Sequence, residues 1–445
     1  MSAGLGWLPT ARRCKRHNRY VDPYMEIEVM SETVTDFNFL SPEVISCPFH
    51  ANRVAREQQP VYLVPGTDLY YVSSYALIRE ALRRPDDFSN RFMAELEGGI
   101  AEDIEVQEII RAGRGWPERD TLLTNDPPEH GRFRKLVNSA FSKKRVDILA
   151  PSIERDVEQL IDGFVDVGAC DFVAEFSAPM PVRVIAKLLS FGDHETQLLK
   201  RWSDAFSDRL SGLVSRERML ECTRTIIEYQ HHMSTKIDHC REAPEDNMLS
   251  DLVHAKVGGE RGLDKAELLT ICHELLVAGN ETTANTLSGG LLLLLTHPDE
   301  LRKVRSNRQL IPNMVEEMLR CTSPAQAMPR VVTRDTELGG VAIPAGSKLM
   351  LRYISANRDG EIFTEPERFC VDRTDADRHL SFGQGGKHVC IGLMLARREL
   401  AIAFEQLLIR FSDMRLEIAE ADVEYHPNML LRGIKSLPIS FTRAT

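Results

Sequence analysis

SFGQGGKHVCIG, residues 381–392, places four glycines and a histidine around a single cysteine, Cys390. So bare a main chain lets backbone N–H groups approach a sulfur and leaves room for a flat, bulky ligand. A cysteine ligates metal only as thiolate, and apolar burial keeps it protonated unless something stabilises the charge. Glycines 383, 385 and 386 precede the sulfur, and a helical pattern, GLMLARRELAIAFEQLLIRF, opens at Gly392. The positive end of that helix dipole would face the thiolate. Taken alone, the stretch still reads first as a glycine-rich turn around a structural cysteine.

The rest of the chain narrows the choice. Its 445 residues are 43% apolar and 27% charged, a soluble globular composition. A net charge of −11 argues against general affinity for nucleic acid. The nine cysteines, at 14, 47, 170, 222, 240, 272, 321, 370 and 390, form no close pairs. They suit a reducing cytoplasm rather than a disulfide framework, and without a CxxC pair they do not propose zinc. Residues 1–37 lack the apolar run of a signal peptide or anchor and read as a mobile N-terminal extension before one domain over 38–445. The longest apolar stretch, 268–295, is interrupted by His273, Glu274, Asn280, Glu281 and Asn285. Such groups are costly in a bilayer, so a helix buried in a soluble core is expected, with no membrane anchor.

Residues 60–74 alternate around a Pro-Gly turn and predict a hairpin. Residues 89–124, carrying four glycines and a proline, read as a long irregular excursion. Helical spacing dominates from 126 to about 320, and short strands return over 330–356. The fold class is therefore mainly α with small β-sheets, and no βαβ alternation supports a Rossmann core.

Three further motifs change the reading of Cys390. VAGNETTANT, 277–286, sets Glu281 and Thr282 inside the long apolar helix. Thr282 there either back-bonds to a carbonyl or marks a local widening that admits a small ligand. EMLR, 317–320, offers an i,i+3 ion pair, and PERF, 366–369, means little alone. Together and in this order, with FGQGGKHVC and GLMLAR (392–397), they resemble the cytochrome P-450 family. The likeness runs from about residue 42 to 441 and is greatest to the bacterial soluble class, given DPPEHGRFRKLV, RVVTRD and ANRDGEIF.

The resemblance implies haem b between the central helix and the cysteine loop, with Cys390 as proximal thiolate. It implies that His130, Arg134, Arg330 and His379 ring the haem propionates. Phe382 would pack near the thiolate, and Ala278, Gly383, His388 and Gly392 would line the cofactor. Glu317, Arg320 and Arg368 would form a buried network beneath it. Thr282 would hydrogen-bond the oxygen under activation while Glu281 relays protons. The implied activity is monooxygenation of a lipophilic molecule such as a fatty acid, terpenoid or steroid. A peroxide-driven peroxygenase and a non-catalytic haem sensor are the alternatives. Electrons would come from NAD(P)H through a ferredoxin and its reductase, and the protein would be a cytoplasmic monomer. Lys143, Lys144, Arg145, Lys387, Arg397 and Arg398 would give an acidic partner a basic patch. Arg91, Arg111, Arg114 and Arg119 could anchor a substrate carboxylate. One departure stands out: Phe382 precedes Cys390 by eight residues where the family has seven. The extra residue, Gly385 or Gly386, would be absorbed as a bulge.

Overall fold

The helical spacing resolves into nine helices that matter for the site. They are α1 (Ile104–Ala112), α2 (Glu129–Asn138), α3 (Lys143–Asp162), α4 (Pro179–Leu188), α5 (Thr196–Ser211), α6 (Arg216–Glu242), α7 (Lys265–Thr296), α8 (Ile311–Thr322) and α9 (Leu393–Arg410). The structure is a computed structural model and describes residues 32–93, 103–211, 214–256, 259 and 261–444. Among these, no helix is long and apolar enough to cross a membrane.

Helix α7 is the axis. Asp264 caps it by accepting from the Glu267 N–H, and Glu267 answers by accepting from the Asp264 N–H at 2.8 Å. Glu267 also pairs with Arg132 of α2 (3.0 Å) and with Arg261 (2.6 Å). Burial opposes its charge, but these partners hold the carboxyl down at about 2. The start of the axis is thereby tied to the helix that carries His130 and Arg134. Further along, α7 packs against α4, α5, α6, α8 and α9. Gly279 permits the close approach of α4, since a Cβ there would lie 2.5 Å from Ile185 Cδ1.

The strands are β1 (Val61–Leu63), β2 (Leu69–Val72), β3 (Phe88–Ser89), β4 (Ala169–Asp171), β5 (Met328–Val332), β6 (Thr336–Leu338), β7 (Val341–Ile343), β8 (Lys348–Leu351), β9 (Phe411–Leu416) and β10 (Pro438–Arg443). A five-stranded sheet in the order β1-β2-β8-β5-β3 contains the predicted hairpin, with Val61 opposite Val72. A second sheet, β4-β10-β9, and the β6–β7 hairpin complete the set.

Two expectations are corrected. The 89–124 excursion carries helix α1, capped by Asp103, while its residues 94–102 lie outside the described ones. The folded unit also begins before residue 38. Val34 is buried in a cluster with Phe39 and Tyr71, and its N–H donates to Gln58 Oε1 at 3.1 Å. Residues 32–37 thus belong to the folded unit rather than to the extension expected over 1–37, and residues 1–31 lie outside the described ones.

Candidate active site

The Cys390 N–H donates to the Phe382 carbonyl at 2.9 Å, closing the loop into a tight return. Gly383 and Gly385 adopt φ of +67° and +115°, open chiefly to glycine. Gly386 meets a different demand, because a Cβ there would lie 2.7 Å from the Leu82 carbonyl oxygen. Three glycines thus meet backbone demands inside a loop that the Cys390–Phe382 hydrogen bond closes. Burial pushes the Cys390 thiol up, opposed by the N–H groups of Gly392 and Leu393 and by Arg134 and Arg397. The stabilising N–H groups thus come from the start of α9, not from the glycines before the sulfur. A cation at the sulfur would tip this balance to thiolate.

Beside the loop stand four basic side chains. His130 of α2 stacks on His388 with ring centroids 3.8 Å apart. Arg134, one turn along α2, donates to the Val389 carbonyl at 2.8 Å and feels the Cys390 sulfur. Buried Arg330 of β5 bears on His388 from the other side. Burial above all, then neighbouring cations, lowers His130 to about 4 and His388 to about 3. The Nε2 atoms of both histidines are buried with no hydrogen-bond partner among the described residues. Orphaned nitrogens among two guanidiniums mark a place for an anion. The Leu122 carbonyl takes the Nδ1–H of His388 (3.1 Å), so Nε2 donates only from a charged ring. A carboxylate bound there would supply the field that charges it.

His379 belongs elsewhere, which corrects its expected place. It is fully buried, with Nε2 3.3 Å from Glu316 and Nδ1 accepting from the Ser381 N–H. Glu316 in turn is held by Arg397 at 2.6 and 2.7 Å, and Arg397 lies over the Phe382 ring at 4.7 Å. Although burial opposes the charge, Arg397 and His379 keep Glu316 at about 2. The triad braces the loop, and it is His388, not His379, that stands with His130, Arg134 and Arg330.

A second correction concerns Arg368. Glu317 and Arg320 are fully buried and doubly bonded, at 2.6 and 2.8 Å. The second arginine on Glu317 is Arg373, whose Nε lies 3.0 Å from Oε1. The Arg368 side chain is half exposed on Glu365 and contributes only its carbonyl, which accepts from Arg320 and Arg373. VDR, just past PERF, was the available signal.

Across from the loop, one face of α7 is open. Glu274, Ala278, Glu281, Thr282, Asn285 and Gly289 share that face and keep exposed surface. The helix is unbroken, so the expected widening is not seen. Thr282 instead donates to the Ala278 carbonyl at 2.7 Å, which leaves its oxygen free to accept a proton-bearing group. Burial raises the Glu281 carboxyl, against Lys200 of α5. Two carboxyls received no role in the sequence reading: Glu274, whose charge is opposed by burial, and buried Glu399 of α9, whose Oε2 has no partner among the described residues.

The expected basic patch is largely neutralised. Lys143 pairs with Asp147, Arg145 with Asp246 and Asp251, Arg397 with Glu316, and Arg398 with Glu154. Arg91 donates to Asn125 Oδ1 at 3.0 Å and lies 4.0 Å from Asp126.

A cysteine in a glycine loop, an anion pocket at its side and an open acid–alcohol face on α7 would suit a haem-thiolate site. The cytochrome P450 family model matches residues 181–439, and the chain belongs to that family. It is 37% identical over 392 residues to a steroid C26-monooxygenase of Mycobacterium tuberculosis, covering 88% of this chain and 93% of that one. It is 34% identical to 6-deoxyerythronolide B hydroxylase of Saccharopolyspora erythraea, covering 89% and 98%. The myxobacterial cytochrome P450 CYP267B1 in complex with myristic acid superposes with a TM-score of 0.81, at 30% identity, covering 91% and 99%.

The protein is thus a P450 monooxygenase of lipophilic substrates, with haem b as cofactor and NAD(P)H-dependent redox partners as electron source. The residues present fit that cofactor: a sulfur for iron, and orphaned imidazoles with two guanidiniums for the propionates. When bound, haem supplies dioxygen activation, and the thiolate ligand pushes electron density toward O–O cleavage.

Proposed function

We propose that residues from Glu32 onward form one haem-thiolate domain in which Cys390 ligates iron. His130, Arg134, Arg330 and His388 hold the propionates. Ala278 leaves the space above the sulfur open, and Phe382, Gly383 and Gly392 shape the floor. The observation that carries this reading is the stacked imidazole pair with both Nε2 atoms buried and unpartnered.

The proposed division of labour follows from the geometry. Thr282, its own hydrogen committed to Ala278, offers oxygen lone pairs above the cysteine. Burial raises the Glu281 carboxyl against the pull of Lys200, and this residue passes protons between α5 and the open face. The substrate is a fatty acid, terpenoid or steroid, hydroxylated or epoxidised. The relatives' names support that breadth: one acts on a steroid, another on 6-deoxyerythronolide B, and a third holds myristic acid. The electron donor is a ferredoxin served by its reductase, and the protein works as a cytoplasmic monomer.

The test is turnover by the purified protein with ferredoxin, reductase and NAD(P)H, set against turnover with peroxide alone. Oxygenation under the first condition, lost in Cys390→Ser, is expected. Turnover only with peroxide would favour a peroxygenase instead.

A further inference from the structure

Residues 119–123 form a strap tied both to the open face of α7 and to the Cys390 loop. On the α7 side, Glu274 accepts three hydrogen bonds: from Thr121 Oγ1 (2.6 Å), the Leu122 N–H (3.1 Å) and the Leu123 N–H (3.0 Å). One turn earlier, Thr270 Oγ1 accepts the Arg119 N–H at 3.2 Å. On the loop side, the Leu122 carbonyl holds His388. The strap's approach is clamped too, because the Gln230 amide accepts from the Trp116 N–H and donates to its carbonyl, both at 2.9 Å.

Amides and hydroxyls suffice for the ties at Gln230 and Thr270. A carboxyl at 274 costs more to bury, so its use calls for a reason. Geometry supplies one. Glu274 stands one and two turns before Ala278 and Thr282 on the open face of α7. Its two oxygens face strap donors on both sides. An amide in its place would set its NH₂ against one strap N–H, whichever way it turned, so only a carboxyl oxygen pair satisfies all three donors.

We propose that Glu274 is a positioning residue: it pins the 119–123 strap across the edge of the cleft and thereby sets how readily small molecules reach the space above Cys390. The inference rests on haem lying between α7 and the Cys390 loop.

Hydrogen exchange and ligand access test it on the full-length holoprotein. In Glu274→Ala, amides of the peptide covering 119–125 should exchange at least about ten-fold faster, as expected for losing several hydrogen bonds. Peptides from β9 and β10 should not change. Stopped-flow binding of imidazole, followed by the haem absorption, should accelerate in parallel. Glu274→Gln, which keeps the side chain's size, should fall between wild type and Glu274→Ala and serves if the alanine variant does not fold. Thr270→Val should loosen the strap less than either. Unchanged exchange across 119–125 in both Glu274 variants would overturn the proposal, as would faster exchange with unaltered imidazole entry. A strap that loosens in a protein without the thiolate signature in its ferrous–CO spectrum would uphold the pin and strike at the haem placement instead.

Discussion

Replacing Glu317 with alanine would leave two guanidiniums facing one another in the core, Arg320 fully buried and Arg373 at 7% side-chain exposure. Breaking a buried ion pair by removing one partner costs about 3–5 kcal/mol, because the surviving charge stays desolvated. Arg320 keeps some compensation, donating to the carbonyls of Asn357, Pro366 and Arg368 at 2.7–2.9 Å. The lower half of that range is therefore expected, a loss of about 3 kcal/mol, or more than a hundred-fold in the folding equilibrium. Arg373→Ala removes one hydrogen bond to Glu317 and others to the carbonyls of Thr364, Glu365 and Arg368. A loss of about 2–3 kcal/mol follows. Arg368→Ala removes only an exposed pair with Glu365 and keeps the carbonyl that the network uses. Urea midpoints by circular dichroism, with the haem-to-protein absorbance ratio of the purified variants, should rank Glu317→Ala and Arg373→Ala far below wild type. Arg368→Ala should match wild type. If Arg368→Ala loses stability and haem as Arg373→Ala does, the network assigned here is wrong.

Three further outcomes are expected. Burial raises the Glu274 carboxyl to about 7 from 4.5, so the folded state loses stability as pH climbs from the unfolded value through the folded one. Between pH 5 and pH 8 wild type should lose about 2.5 kcal/mol relative to Glu274→Gln by urea unfolding, and a pH-independent difference would refute the shift. His388→Ala and His130→Ala should each release haem about ten-fold faster to an acceptor such as apomyoglobin, as one charge-assisted bond predicts. Gly386→Ala drives a Cβ against the Leu82 carbonyl, so the loop must shift and the ferrous–CO spectrum should lose part of its thiolate signature.

What could be read from the sequence was local. The Cys390 loop announces itself because glycine's conformational freedom is a property of single residues, and two glycines do adopt positive φ there. Glu317 and Arg320 were legible because residues three apart on a helix share a face. Arg373 was not, because its approach to Glu317 depends on how 364–373 turns, including Glu365 at φ +48°. The two loop histidines illustrate the same limit. His379 and His388 flank one short segment, yet the return closed between Phe382 and Cys390 sends them to different partners. Helix α1 was hidden by glycines outside its span that suggested irregularity throughout. Glu274 was visible only as an interruption of an apolar run, since its three donors lie some 150 positions away.

The same long-range pairing bears on how an electron donor would engage the protein. Arg397 and Arg145 look free in sequence but are committed to carboxylates 81 and about 100 positions distant. Their charge holds the Cys390 loop and the start of α3 in place. Lys144 and Lys387 form no ion pair among the described residues, and Lys387 is exposed within the loop itself. Met394, at the start of α9, is exposed, as is Ile148 on α3, a helix packed against α9. A surface with few uncommitted cations and some apolar area recognises a partner by fit more than by long-range attraction. The proposed ferredoxin would then dock with a shallower salt dependence than six free cations would produce, and the sulfur's redox environment would stay insulated from the partner's charge.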